Sequence, residues 1–189
     1  VIFSIRIAIP KRFPTHVGPP ARDLPVLNYP GRPCNKSLIG VEYAGIKGNK
    51  MNHFETFSTT ADVGIRIKGR DYAALFESSV KGLNLLFFGD RAAEISAENS
   101  KPYPYEYEGD SAENVLVNLL SEIVFLFQCR GKATADIRII EAADNNIKAE
   151  LMLIETGMDA ELEIKSVTYH NLKVVDLDGG KYAEIVFDI

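Results

Sequence analysis

The acidic residues of this chain offer more chemistry than its nucleophiles do. Asp62 opens an alternating segment directly after Thr59-Thr60-Ala61, and Asp188 is penultimate, followed by Ile189. If the strands that carry them are neighbours, two side-chain carboxylates and the α-carboxylate of Ile189 converge. Such hard oxygen donors suit Ca²⁺, Mg²⁺ or Mn²⁺ rather than zinc. Spacing alone favours a plainer reading, a turn aspartate and a frayed acidic terminus, and leaves the cation site as the alternative.

The other reactive side chains are sparse. There are three histidines, His16, His53 and His170. A catalytic triad would need one of them beside a nucleophile, and no serine or threonine stands out. His53 reads as a surface residue, and His170 as a core or edge histidine on a strand. Cys34 and Cys129 are too far apart in sequence to form a local metal or redox pair and give no disulfide framework, which points to a reducing cytoplasm. Cys129 closes an apolar helix and reads as a buried, inert thiol. There is no glycine-rich phosphate loop, Walker motif or Gly-x-Ser-x-Gly elbow. A metal-dependent hydrolase would need a general base beside a metal-bound water, and beyond His170 and the carboxylates nothing obvious supplies one.

Regular elements must position these groups. Val63, Ile65 and Ile67 alternate with Gly64, Arg66 and Lys68, the period of a strand with one buried face. Asp71 then caps a helix whose stripe runs through Phe76, Ser79, Val80, Leu83, Leu86 and Phe87 to a closing Gly89. A second helix has Asp110 as its expected cap, Glu113 as capping-box partner, and a stripe from Leu116 through Leu119, Leu120, Ile123 and Leu126 to Phe127 before Gly131. Between them Tyr103, Tyr105 and Tyr107 alternate, and Pro102 and Pro104 push that strand to a sheet edge. Strands are then expected at 135–141, 147–153, 162–175 and 182–189, the last entered through Asp178-Gly179-Gly180. Strands gathered after helices predict an α+β fold: an antiparallel or mixed sheet with two amphipathic helices on one face.

Charge divides the chain at its first methionine, Met51. Residues 1–50 hold eight Lys/Arg against two acids, net +6, and seven of the nine prolines; residues 51–189 hold 13 basic and 24 acidic residues, net −11. The expectation is a disordered basic leader over 1–50, either translated upstream sequence or an over-extended gene start, and one domain over 51–189. No uninterrupted apolar run reaches the roughly 20 residues a spanning helix needs, so no membrane association is expected. A domain of charge −11 is repelled by phosphates, so direct nucleic-acid binding is not expected either, whereas docking on a basic enzyme is favourable.

Three ordered motifs, Thr60-Ala61-Asp62-Val63-Gly64-Ile65, Glu163-Ile164-Lys165-Ser166-Val167-Thr168-Tyr169-His170 and the closing Phe187-Asp188-Ile189, resemble the archease family, as do the positions of Leu75-Phe76-Glu77 and of 117–122 on two helices. The resemblance covers essentially all of 51–189 and implies an archease/SHS2-like fold. It also implies a non-catalytic accessory role: promoting the GTP- and metal-dependent guanylylation, and hence the turnover, of an RtcB-type tRNA-splicing RNA ligase. The implied metal ligands are Asp62, Asp188 and Ile189, with calcium the implied ion, and the motif residues Thr60, Lys165, Tyr169 and His170 are implied to lie near the site or partner. Two departures accompany the match. Thr59 stands where the family has histidine, and the segment before Glu163 is shorter and lacks the family's basic and histidine residues, which alters a partner-facing loop. The alternative role is a metal-binding, chaperone-like module with other clients.

Overall fold

The computed structural model describes residues 53–58, 62–177 and 179–189. The leader expected over 1–50 lies outside them, as do Thr59, Thr60 and Asp178. The order is β1 (His53–Ser58), β2 (Val63–Gly69), α1 (Tyr72–Phe88), a 3-10 turn (Gly89–Glu94), β3 (Lys101–Glu108), α2 (Ala112–Arg130), β4 (Lys132–Ala142), β5 (Asn146–Glu155), β6 (Ser166–Val167), β7 (Val175–Leu177) and β8 (Gly180–Asp188). The fold is α+β, and the strand pairings are antiparallel.

The strands form two sheets rather than one. The first runs β1-β2-β8-β6, with β7 also on β8; the second runs β3-β5-β4. Both edges of β2 are taken, by β1 and β8, and both edges of β5 by β3 and β4. Proline-bearing β3 does lie at an edge, where its missing N–H donors cost least.

Both helices start and stop on local chemistry. The Asp71 carboxylate accepts the Ala74 N–H at 2.8 Å and Gly89 closes α1. The cap of α2 is Ser111, not Asp110: its hydroxyl accepts the Asn114 N–H at 3.3 Å, and Gly131 ends the helix in the left-handed region at φ 63°. Ser111 wins because it stands three residues before the first orphan donor it can reach. Helix α1 is buried almost all round, touching β1, β2 and β8 on one side and β4 on another. Its polar side chains are satisfied internally: Ser78 and Ser79 donate to main-chain carbonyls at 2.7–3.0 Å, and Asn84 donates to the Thr134 carbonyl at 2.8 Å. Helix α2 touches β3, β4, β5 and β6, and its tail brings Phe127 against Phe87 and Phe88, with ring centroids 4.7 and 5.2 Å apart. One core joins both helices and both sheets. By length and composition α2 could cross a membrane, yet Val115, Leu116, Leu119, Leu120 and Ile123 are buried in that core.

Two further expectations change. The strand predicted over 162–175 is mostly irregular, leaving only β6 and β7, because side chains from α2 take hydrogen bonds a ladder would have used. Cys129 is exposed rather than buried, since it falls on the outer side of the last turn of α2.

The Thr134 hydroxyl is buried with no hydrogen-bond partner among the described residues. Thr134→Val replaces it with a methyl of nearly the same shape and removes an unsatisfied group costing about 1–3 kcal/mol. The variant is expected to unfold at higher urea, by about 1 kcal/mol; a lower midpoint with unchanged slope would show the hydroxyl to be paired.

Candidate metal centre

The carboxylates singled out from the sequence are brought to one end of the first sheet. β2 and β8 pair with Val63 opposite Phe187, and continuing that register by one step sets Asp62 opposite Asp188. The core face of β8 is Ala183, Ile185 and Phe187, all fully buried, so Asp188 lies on the other face. Asp62, half-buried and bonded within the fold, shares that face by register, as do Arg66 and Glu184, joined at 2.8 Å further along the same strands.

Gly64 shows why the strand carrying Asp62 is built as it is. A Cβ there would lie 2.2 Å from the Phe57 ring and 2.6 Å from the Ile185 carbonyl. The ring, from the strand opposite, covers the glycine and is itself stacked by the Arg66 guanidinium 4.7 Å from its centroid. Close packing on both sides therefore fixes β2 next to Asp62.

β6 fixes the other side. The Lys165 N–H donates to the Asp188 carbonyl at 2.8 Å, and Ser166 pairs with Asp188. The Lys165 ammonium reaches the main-chain oxygen of Ile189, also at 2.8 Å. Ile189 itself is 37% exposed, so the Lys165 contact adds to a partial burial of the isoleucine side chain in holding the end.

Helix α2 positions the segment that bears Lys165, Tyr169 and His170. Gln128 donates to the Ile164 carbonyl, Asn114 donates to the Tyr169 hydroxyl at 2.8 Å while accepting from Tyr107 at 2.6 Å, and Glu113 accepts the Val174 N–H at 2.8 Å. Tyr169 and His170 occupy an exposed turn, where the His170 ring meets the Asn171 amide at 3.0 Å. They are tied to Asn114 and Asn171 rather than to the strand end. Glu113, Asn114 and Gln128 escaped the sequence reading: Glu113 was taken for a capping-box partner, and nothing local signals a bond to residues 36 to 61 positions away.

Glu113 gives this clamp a pH dependence. Burial pushes its carboxyl up, but the N–H groups of Val174 and of its own residue, the Ser111 hydroxyl and the nearby Lys173 charge outweigh burial and leave it below the ordinary 4.5. A lowered folded value means that the stability it adds is complete above pH 4.5 and is lost as pH falls from there through the folded value. Glu113→Gln is therefore expected to cost about 1 kcal/mol at neutral pH, water weakening a charge-assisted bond that is only partly buried. The difference from wild type should shrink below pH 4.5. Parallel urea midpoints across pH 3–7 would remove Glu113 from this role.

Among the described residues, no three His, Cys, Asp or Glu side chains gather closely enough to hold a metal ion. A cation at this end would draw on two carboxylates, the main-chain oxygen of Ile189 and water. That all-oxygen set fits Ca²⁺ or Mg²⁺ and does not fit zinc. A cleft of about 550 Å³ lies elsewhere, beside β3 and β5, lined by Glu94, Lys101, Tyr103, Lys132 and Glu155 among others; it contains none of the candidate metal ligands.

Two antiparallel sheets packed with two helices, with Asp62 and Asp188 at one sheet end, define a small α+β protein whose candidate site consists of oxygen donors at strand termini. The chain belongs to the archease family: the model of the Archease protein family matches residues 54–189. It is 29% identical over 146 residues to protein archease of Pyrococcus furiosus and 27% identical over 146 residues to that of Pyrococcus abyssi, in each case covering 74% of this chain and 100% of the relative. Its fold is similar to the solution structure of Methanobacterium thermoautotrophicum protein 1598, with TM-score 0.53 and 21% identity over 72% of this chain and 98% of that one.

Proposed function

We propose that this protein is a non-catalytic activator of an RtcB-type tRNA-splicing RNA ligase, acting in the cytoplasm. It binds a divalent cation, Ca²⁺ before Mg²⁺ or Mn²⁺, through Asp62, Asp188 and Ile189, and offers that end of the sheet to the ligase's nucleotide site. The observation that carries this reading is the β2–β8 register, which sets Asp62 opposite Asp188 on one face. Two like charges so placed repel each other, and a bound cation would relieve that repulsion. Membership of the archease family supports the role, and the −11 charge of residues 51–189 favours docking on a basic enzyme over RNA.

Multiple-turnover RNA ligation by the purified ligase, with and without this protein and with Ca²⁺ or chelator, tests it. Stimulation that needs the protein and is lost with Asp62→Asn is the expected result. Capture of the ligase with no stimulation would instead favour the chaperone-like module.

A further inference from the structure

Lys165 makes two bonds to the end of β8, and they differ in kind. Its main-chain N–H completes the pairing with Asp188, as any residue at that position would. Its ammonium is specific: it carries a positive charge to within 2.8 Å of the Ile189 oxygen, one of the donors assigned above to the cation. A lysine ammonium is a compact point charge with three donors on a flexible stem, so it can satisfy one oxygen and swing away. The side chain is exposed.

From this geometry we infer that Lys165 is a positioning residue that stands in for the metal: its ammonium holds the chain end when no cation is bound and must leave when one binds. The inference rests on the metal reading of Asp62, Asp188 and Ile189 and adds to it a built-in competitor. The stand-in keeps an end bearing like charges ordered in the cation-free protein. It also lowers cation affinity, because a divalent ion must displace a bonded positive charge. Removing that charge should tighten binding by about tenfold, the order expected when the ion no longer has to break one exposed charge-assisted bond.

The experiment is Ca²⁺ titration by calorimetry on the full chain, comparing wild type, Lys165→Met and Lys165→Arg, together with amide hydrogen exchange at residues 186–189 without metal. Lys165→Met is expected to bind Ca²⁺ about tenfold more tightly and, without metal, to exchange faster at the chain end. Lys165→Arg keeps the charge and is expected to stay close to wild type in both readouts. Weaker binding by Lys165→Met would mean that the lysine organises the donors instead of replacing the ion, and would overturn the inference. Equal binding by all three proteins would also overturn it, while leaving the metal reading intact. Ca²⁺ binding by Lys165→Met alone would support it; binding by none would sink both the inference and the metal reading.

Discussion

Asp62→Asn is expected to leave the cation-free fold standing and to abolish its stabilisation by Ca²⁺. The substitution keeps the shape of the side chain and one of its carbonyl-type acceptors. What it removes is one of two negative charges across the β2–β8 pair. A ligand that binds only the folded protein adds about 2.7 kcal/mol at a hundredfold excess over its Kd. For a domain of this size that is a rise in Tm of roughly 10 °C. Wild type should show this rise with Ca²⁺ and the variant should show almost none. Without the ion the variant should melt at or slightly above the wild-type temperature, since a like-charge pair has been relieved. The opposite pattern, a lower Tm without metal and an unchanged Ca²⁺ response, would make Asp62 a structural turn residue. Ligase stimulation should follow the calorimetry and fall to the rate of the ligase alone.

The elements that the sequence made legible are those with a strong local period or a strong local stop. Both helices could be read because their stripes run about three turns and end at Gly89 and Gly131, and β3 could be placed at an edge because proline cannot donate to a neighbour. β1 carries no such signal: in His53–Ser58 the two phenylalanines stand three apart with no alternation, and what makes it a strand is the open edge of β2, a tertiary fact. The strand expected over 162–175 failed for the converse reason. Its alternation is real, but Gln128, Asn114 and Glu113 bind it from α2, and an interaction spanning dozens of residues leaves no local trace. The candidate site divides in the same way. Asp62 and Asp188 could be picked out as strand-end acids, whereas their alignment depends on β2 and β8 being neighbours, which no spacing reveals. The hold of Lys165 on Ile189 is likewise visible only in three dimensions.

Removing Asp188 and Ile189 is expected to abolish ligase activation while sparing most of the fold. The energetic side is small. Ile185 and Phe187 are fully buried and remain, whereas Ile189 is 37% exposed, so its loss forfeits part of one apolar side chain. Together with the bond from the Lys165 N–H to the Asp188 carbonyl, this comes to about 1–2 kcal/mol. The functional side is large, because one of two carboxylates and the main-chain oxygen of Ile189 go at once, leaving Asp62 as a lone donor too weak for a hard cation. Appending a tag after Ile189 makes the same test without deletion: it crowds the Lys165 contact with the main-chain oxygen of Ile189. The same tag placed before Met51 should be harmless by comparison. The expected order of Ca²⁺ affinity and of multiple-turnover ligation is therefore wild type, close to the variant tagged before Met51, then the variant tagged after Ile189, then the deletion with no response. Full activation by both the deletion and the variant tagged after Ile189 would return Asp188 to an ordinary terminal acid, and the function of the chain would have to be sought at the exposed turn of Tyr169 and His170 instead.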